Sequence, residues 1–421
     1  MKIYRARVLN IISLNKVEDF RNGYVAVDNH GKFFDYGEFS DSKLNKLKRV
    51  CPDLEVIDFT DYIILPAFID MHLHLPQFHL RGRYGVSLLD WLKNHIIPAE
   101  TKLTYEEQAH SYIKAFYEEL YRNGTTTAVI FSSASTSFTD KAFEVASELG
   151  FRVILGKAMM DRKYLSMGLK VENAQKAMHD SIKLYEKWHK SKDYLFYAFS
   201  PRFAPATSEK LLKLVGEFAQ KNDVYIHTHL AETQEEVKLV KKLFPKYKNY
   251  TEVYYRTGIL GPRTIVAHAI HLKESEYKLL AKTNTKVAHC PSSNFFLHSG
   301  QADTQKMVQY GIELGLGSDV GAGPSFSLFT IMRDAYYVRK MPPPEAFYYA
   351  TLGSAKALGL EKYIGNIGIG KDADFLVIKY PYWCRKDSST DILMSQLMFL
   401  GNDHLTLETY SRGVLKYRKA N

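Results

Sequence analysis

An apolar run near residue 70 ends in His72-Leu73-His74. The side-chain period of a β-strand is two, so both imidazoles leave the same side of that strand and can reach one ion. Asp70, one period further back, is suited to orienting one of them by hydrogen bonding, as ligating histidines commonly need. Taken alone, an H-x-H is equally a hydrogen-bonded pair near the surface. What adds weight is that His229, His268 and Asp319 each stand at the C-terminal end of a later apolar or β-branched run. Three imidazoles and one carboxylate suit a divalent ion such as Zn²⁺ or Fe²⁺. Glu232, three residues beyond His229, can stand beside a water activated by that ion without ligating it, and a carboxylate there is a natural proton carrier. The chemistry indicated is metal-dependent hydrolysis. His227 and His229 form a second H-x-H, and the residues alone leave open which of them ligates. His271, His289 and His298 also lie near strand ends, where packing or hydrogen bonding is the expected role rather than ligation.

Such residues need a scaffold that gathers strand ends. Between residues 62 and 319, eight short runs alternate with amphipathic helical stretches, the pattern of a parallel sheet wrapped by helices. The runs are YIILPAFIDMHLHL, TTAVIF, FRVILGKAM, YLFYAFSPRF, VYIHTHLAE, RTIVAHAIHL, KVAHCPSSN and IELGLGSD. Among the intervening helices, TYEEQAHSYIKAFYEELYRNG places Phe116 and Leu120 on one apolar face and offers Gly124 as a C-terminal cap. A doubly wound open sheet would alternate in the same way. However, His72, His74, Arg202, His229, His268 and Asp319 all fall at C-terminal strand ends, the rim where (β/α)8 barrels carry their chemistry. The expected fold is therefore an α/β (β/α)8 barrel over residues 62–365. Residues 1–61 and 366–421 alternate like strands, with an Asn29-His30-Gly31 turn in the first segment, and each is too small to bury a core alone. They are expected to meet in one small composite β-sandwich domain.

Composition narrows the remaining classes. The chain has 421 residues, 46% hydrophobic and 24% charged, so disorder is excluded as its main theme. Its three cysteines, Cys51, Cys290 and Cys384, contain no C-x-x-C, which leaves histidine and carboxylate to hold any metal. The net charge of +10 is interspersed with acidic residues, as in KLVKKLFPKYKNYTEVY, and so reads as solvated surface rather than a nucleic-acid footprint. The first residues, MKIYRARVLNIISLNK, are too short an apolar stretch to span a bilayer and lack a small-residue cleavage site, so a cytoplasmic protein without a membrane partner is expected.

The motifs, in order, resemble the amidohydrolase superfamily and, within it, the barrel-type guanine deaminases. The resemblance rests on PAFIDMHLHLPQF, SPRF at 200–203, THLAE at 228–232, VAH at 266–268, AHCPSSN at 288–294 and LGSDVGAG at 316–323. It extends to LLDWL at 88–92, NGTTTA at 123–128, FPKYKNYTEVY at 244–254 and FLGND at 399–403, and so covers most of the chain. Departures are small residues exchanged for small ones: Ala67 where glycine is usual, and Gly321-Ala322-Gly323 where Ala-Gly-Gly is usual. The resemblance implies that His72, His74, His229 and Asp319 hold one metal, Zn²⁺ or alternatively Fe²⁺. It favours His229 over His227 as ligand. It further implies Glu232, His268 and Asp319 as catalytic residues, with Gln77, Arg202, Phe203 and His229 against a purine substrate, and a homodimer by analogy. The alternatives are a related aminohydrolase acting on an 8-oxopurine, triazine or adenosine-type substrate, and a non-catalytic barrel, which would need a ligand or proton carrier that has been lost. The H-x-E and P-C-x-x-C elements of the other zinc deaminase architecture are missing from the sequence.

Overall fold

The computed structural model describes residues 1–84, 88–102, 106–162, 171–402 and 404–420. The chain forms two compact units. One comprises Met1–Ile69, Glu118–Thr126 and Phe326–Asn421, the other Asp70–Tyr117 and Thr127–Ser325.

In the first unit, strands from both chain ends share one mixed seven-stranded sheet, as expected. Its spatial order is Val414–Arg418, Thr406–Ser411, Phe375–Lys379, Glu55–Pro66, Lys2–Ser13, Lys16–Val27 and Phe33–Glu38. Alternation along Lys2–Ser13 sends Tyr4, Ala6 and Val8 into a cluster with Phe33, Phe375 and Tyr410, while Ile3 joins Tyr24, Ala26 and Leu47 in another. The Phe375 and Tyr410 rings stack at 4.5 Å. The turn between the second and third strands contains Gly31 at φ +73°, where a Cβ would lie 2.0 Å from the Arg412 carbonyl oxygen, so glycine is required there.

The second sheet carries the eight barrel strands: Phe68–His74, Thr125–Phe131, Arg152–Gly156, Leu195–Pro201, Tyr225–Leu230, Thr264–His268, Lys286–His289 and Leu314–Leu316. They are ordered as in the sequence, and the pairs with a defined register, from Thr125–Phe131 onward, are parallel. The eighth returns to the first, since Asp319 N donates to His72 O at 2.8 Å and Ser318 N to Asp70 Oδ1 at 3.0 Å. The strands are buried almost throughout, as parallel strands covered on both faces must be. Helix starts carry the side-chain caps that satisfy their free amides: Ser135 before Thr136–Leu149, Asn173 before Ala174–Trp188 and Ser208 before Glu209–Asn222.

Two sequence expectations are refined. The run 62–74 is two strands, because Pro66 has no amide hydrogen to continue the ladder. The chain changes sheet at Ala67, whose N donates to Asp374 O, while Phe68 N donates to Gly124 O at 2.9 Å. The helix expected from Thr104 spans Glu106–Arg122, with Phe116 and Leu120 buried and Gly124 at φ +79°; Thr104 and Tyr105 lie outside the described residues, as does Asp403 of FLGND.

Candidate active site

Six of the expected site residues converge at or just beyond the C-terminal ends of the barrel strands. His72 Nε2 and His74 Nε2 each lie 3.2 Å from Asp319 Oδ1, and His229 Nε2 lies 3.2 Å from His74 Nε2. His268 Nε2 stands 3.8 Å from Asp319 Oδ2 and 3.5 Å from Glu232 Oε2. Backbone geometry helps turn these groups inward: His268 at φ +69° and Asp319 at φ +50° both adopt the left-handed region, which costs a non-glycine residue of order 1–3 kcal/mol and persists only when its surroundings enforce it.

The donor atoms fit a cation better than they fit one another. His229 Nδ1 lies 2.6 Å from the Arg202 carbonyl oxygen, which can only accept, so the proton sits on Nδ1 and Nε2 points its lone pair inward. His72 Nε2 is fully buried, and its approach to Asp319 Oδ1 is too far off line for a hydrogen bond. Imidazole nitrogens and a carboxylate oxygen gathered this closely are a donor set that could hold a metal ion. Ligand atoms about 2.0–2.1 Å from a tetrahedral ion are separated by about 3.3 Å, close to the separations above. Among the described residues, two triads sharing His72 have ligand atoms within 4.8 Å of one another: His72, His74 and Asp319, and His72, His229 and His268.

Electrostatics point the same way. Burial lowers the pKa of His72, His227 and His229 and takes His74 down to about 4, keeping these rings neutral. Burial opposes ionisation of Asp319, but the adjacent His72 and His74 imidazoles hold its carboxyl well below the usual range. Neutral imidazoles and an ionised carboxylate are the ligand states a metal takes. Burial, then the Asp319 charge, pushes Glu232 up to about 8 against a hydrogen bond from Ser299; a dication nearby would draw it back down.

The structure separates the two histidines of the second H-x-H. His229 enters the ring of donors, whereas His227 lies behind it, its Nε2 2.7 Å from His72 Nδ1. The supporting role expected of Asp70 is thereby corrected: its Oδ1 accepts from the backbone amides of His72 and Ser318 rather than from an imidazole, and so fastens the first strand to the eighth. His271 is occupied by Gln234 Nε2 at 2.8 Å and Ser299 O at 2.7 Å, His289 is buried, and His298 is exposed.

Across the pocket, Gln77, Arg202 and Phe203 line the same cavity as His74, His229, Glu232, His268 and Asp319. Leu88, Trp91, Leu92, Leu297 and Ala322 complete an apolar wall. Three residues were missed by the sequence reading. Ser299 Oγ donates to Glu232 Oε1 at 2.9 Å. Asn294 Oδ1 lies 2.9 Å from His268 Nδ1. Glu100, on the short helix Ile97–Lys102, accepts from Arg202 Nη1 at 2.9 Å and Nη2 at 3.2 Å, and from Gln77 Nε2 at 3.2 Å. Of these, only Asn294 carried a sequence signal, its place in AHCPSSN. The stretch FPKYKNYTEVY also acquires a purpose: Tyr250 Oη donates to Glu236 Oε1 at 2.7 Å and accepts from Ala204 N, while Tyr254 Oη donates to His229 O at 2.9 Å. Glu236 in turn accepts from the Glu232 amide at 2.8 Å, so two tyrosines tie the Arg202-Phe203 segment to the segment bearing His229 and Glu232.

A barrel rim carrying neutral histidines, an ionised aspartate and an adjacent carboxylate defines a metal-dependent hydrolase, and the model of the amidohydrolase family matches residues 63–415. The chain belongs to the amidohydrolase family. Within that family it belongs with the guanine deaminases: it is 36% identical to guanine deaminase of Escherichia coli over 404 residues, 92% of this chain and 90% of that protein. It is 30% identical to guanine deaminase of Dictyostelium discoideum over 98% of this chain and 97% of that one. The solved structure of guanine deaminase from C. acetobutylicum with bound guanine in the active site superposes with a TM-score of 0.90 at 27% identity, covering 98% of this chain and 99% of that one.

Proposed function

We propose that this chain is a guanine deaminase that converts guanine and water to xanthine and ammonia. The observation that carries the reading is the kinship with guanine deaminases along nearly the whole chain, joined to a pocket lined by a buried carboxylate, Glu232, together with members of the ring of donors and the polar residues Gln77 and Arg202.

His72, His74, His229 and Asp319 would hold the metal, for which zinc is proposed and ferrous iron is the alternative. An ion bound there supplies Lewis-acid activation of water. Glu232 accepts a proton from the attacking water as its oxygen bonds to C2 of guanine, and delivers it to N3, so that the ring nitrogen rather than the carboxylate carries it. The remaining proton of the hydroxyl now on C2 then reaches the C2 amino group by the same carboxylate, the C2=O bond forms as the C2–N bond breaks, and ammonia leaves. His268 hydrogen-bonds the oxygen at C2 as charge develops, and Asp319, an ionised carboxylate, accepts from the hydroxyl that this oxygen carries. Arg202 faces the C6 carbonyl, Gln77 the adjoining edge, and Phe203 one face of the base. The Ser299 hydroxyl, bonded to Glu232 Oε1, aims the carboxylate.

The test is direct: purified protein is incubated with guanine, and xanthine and ammonia are measured in parallel with metal content. Equimolar xanthine and ammonia are expected. Turnover of an 8-oxopurine, triazine or adenosine-type substrate with none of guanine would replace this reading with another aminohydrolase.

A further inference from the structure

We propose that Glu100 is a positioning residue that sets the choice of purine: it turns a donor from Arg202 and an acceptor from Gln77 toward the base, a pattern that matches guanine and opposes an adenine-type ring. This rests on the guanine reading above.

The argument starts from what a carboxylate can do. Glu100 is nearly buried and paired end-on with both terminal nitrogens of Arg202. Ionised in that pair, it only accepts. The end of the Gln77 amide that faces it must therefore be nitrogen, and Nε2 lies 3.2 Å from Glu100 Oε1. The other end is consistent, because the Gly321 amide N–H points at Gln77 Oε1 from 3.4 Å. Two neighbours thus fix an orientation that a glutamine otherwise leaves open. Oε1 keeps a second lone pair, with which the amide can still accept from the base.

The guanidinium is divided in the same way. An end-on pair uses one hydrogen from each terminal nitrogen and leaves the Nε–Nη2 side as a second parallel fork. Guanine carries two acceptors side by side, O6 and N7, on the edge across the ring from C2. A fork there leaves C2 turned toward Glu232 and the donor ring. The next atom round the six-membered ring is N1, which bears a hydrogen in guanine and meets the Gln77 acceptor. An adenine-type ring reverses both positions, with an amino donor at C6 and a bare nitrogen at N1, so donor would face donor and acceptor would face acceptor. Glu100 has no need to touch the base, since it decides which end of Gln77 does. Its negative charge also balances Arg202, which would otherwise stand buried and uncompensated.

The measurement is kcat/KM for guanine and for 2,6-diaminopurine, which keeps the 2-amino group but reverses positions 6 and 1. The chains compared are the wild type, Glu100→Gln, Gln77→Ala and the double variant, each checked for thermal melting and metal content. A glutamine at position 100 can donate or accept and no longer dictates the Gln77 amide. We expect the wild type to prefer guanine, and the preference to narrow by about tenfold in each single variant, the worth of one reversed buried hydrogen bond, with no further narrowing in the double variant. A Glu100→Gln enzyme that loses activity equally on both purines, its preference intact, overturns the proposal, because a merely structural role lowers both together. If Glu100→Gln does not fold, Gln77→Ala, which leaves the Glu100–Arg202 pair in place, decides the matter, and an unchanged preference there is equally fatal. A wild type without activity on guanine removes the functional reading as well, whereas a guanine-active wild type with an unmoved preference removes only this one.

Discussion

The two walls of the pocket are built on opposite principles. On one, His72, His74, His229 and Asp319 bring together polar atoms about 3.2 Å apart, a donor set suited to a cation. On the other, Glu100, Arg202 and Gln77 hold one another in place by hydrogen bonds before any ligand arrives, with part of the guanidinium and amide left over for it. The first wall stands on strand ends of a single barrel and inherits their rigidity. The second joins a strand end to two short helical segments, Leu75–Leu80 and Ile97–Lys102. The lesson is that reactivity and selectivity are separable here: damage to the donor ring should abolish chemistry on every substrate, and damage to the recognition wall should change which substrate is used.

The largest effect should come from emptying the donor ring. Chelation is expected to remove about one divalent ion per chain, the capacity of a single four-ligand shell, and with it essentially all turnover, recoverable on adding Zn²⁺. Elemental analysis beside the assay checks both. Two ions per chain, or full activity with none, would break the comparison at its first term.

Next in size is Glu232→Gln, which keeps shape but cannot accept a proton. A general acid–base group contributes about 10²–10⁴ in rate, and one used twice can contribute more. Metal content and melting temperature should be unchanged, which separates proton transfer from the coordination shell. More than about a tenth of the wild-type kcat, a loss below that range, would require another proton carrier.

On the recognition wall, Arg202→Ala removes a buried charge-assisted contact and leaves Glu100 uncompensated. A loss of about 2–4 kcal/mol in transition-state stabilisation, read from kcat/KM on guanine, is expected, with metal content retained. Undiminished activity would show that Arg202 serves only its pair with Glu100.

The smallest effect is expected from Ser299→Ala, which deletes the hydroxyl bonded to Glu232 Oε1. One such bond is worth about 0.5–1.5 kcal/mol, somewhat more to a charged partner, so kcat should fall several-fold with KM little altered. A larger change in KM than in kcat would mean that Ser299 acts on binding rather than on the aim of the carboxylate.

Much of the reactive wall could be read from the chain because it follows from local rules. A period of two places His72 and His74 on one side of a strand, and the barrel expected from the eight runs brings all strand ends to one rim. The resemblance to known deaminases supplied what periodicity leaves open, such as the preference for His229 over His227. The recognition wall was legible only in part. Arg202 and Gln77 were marked by their neighbours in the motifs, but Glu100 was not, since the short helix that carries it has no distinctive period and its partner Arg202 lies 102 positions away in sequence.

By itself, then, the sequence determined the alternation of strands and helices, the return of both chain ends to one small sheet, and the placing of metal-ligating residue types at strand ends, because each depends on side-chain period and on a few residues close together in the chain. Tertiary structure alone decided that Asp70 fastens backbone amides, that His227 stands behind His72, that Ser299 donates to Glu232, and that Glu100 accepts from Arg202 and Gln77. Those are contacts between side chains brought together from distant segments, and many carboxylates and hydroxyls along the chain could have made them. Which of them does is settled only when the barrel closes and buries polar groups that must then find partners among whatever lies within reach.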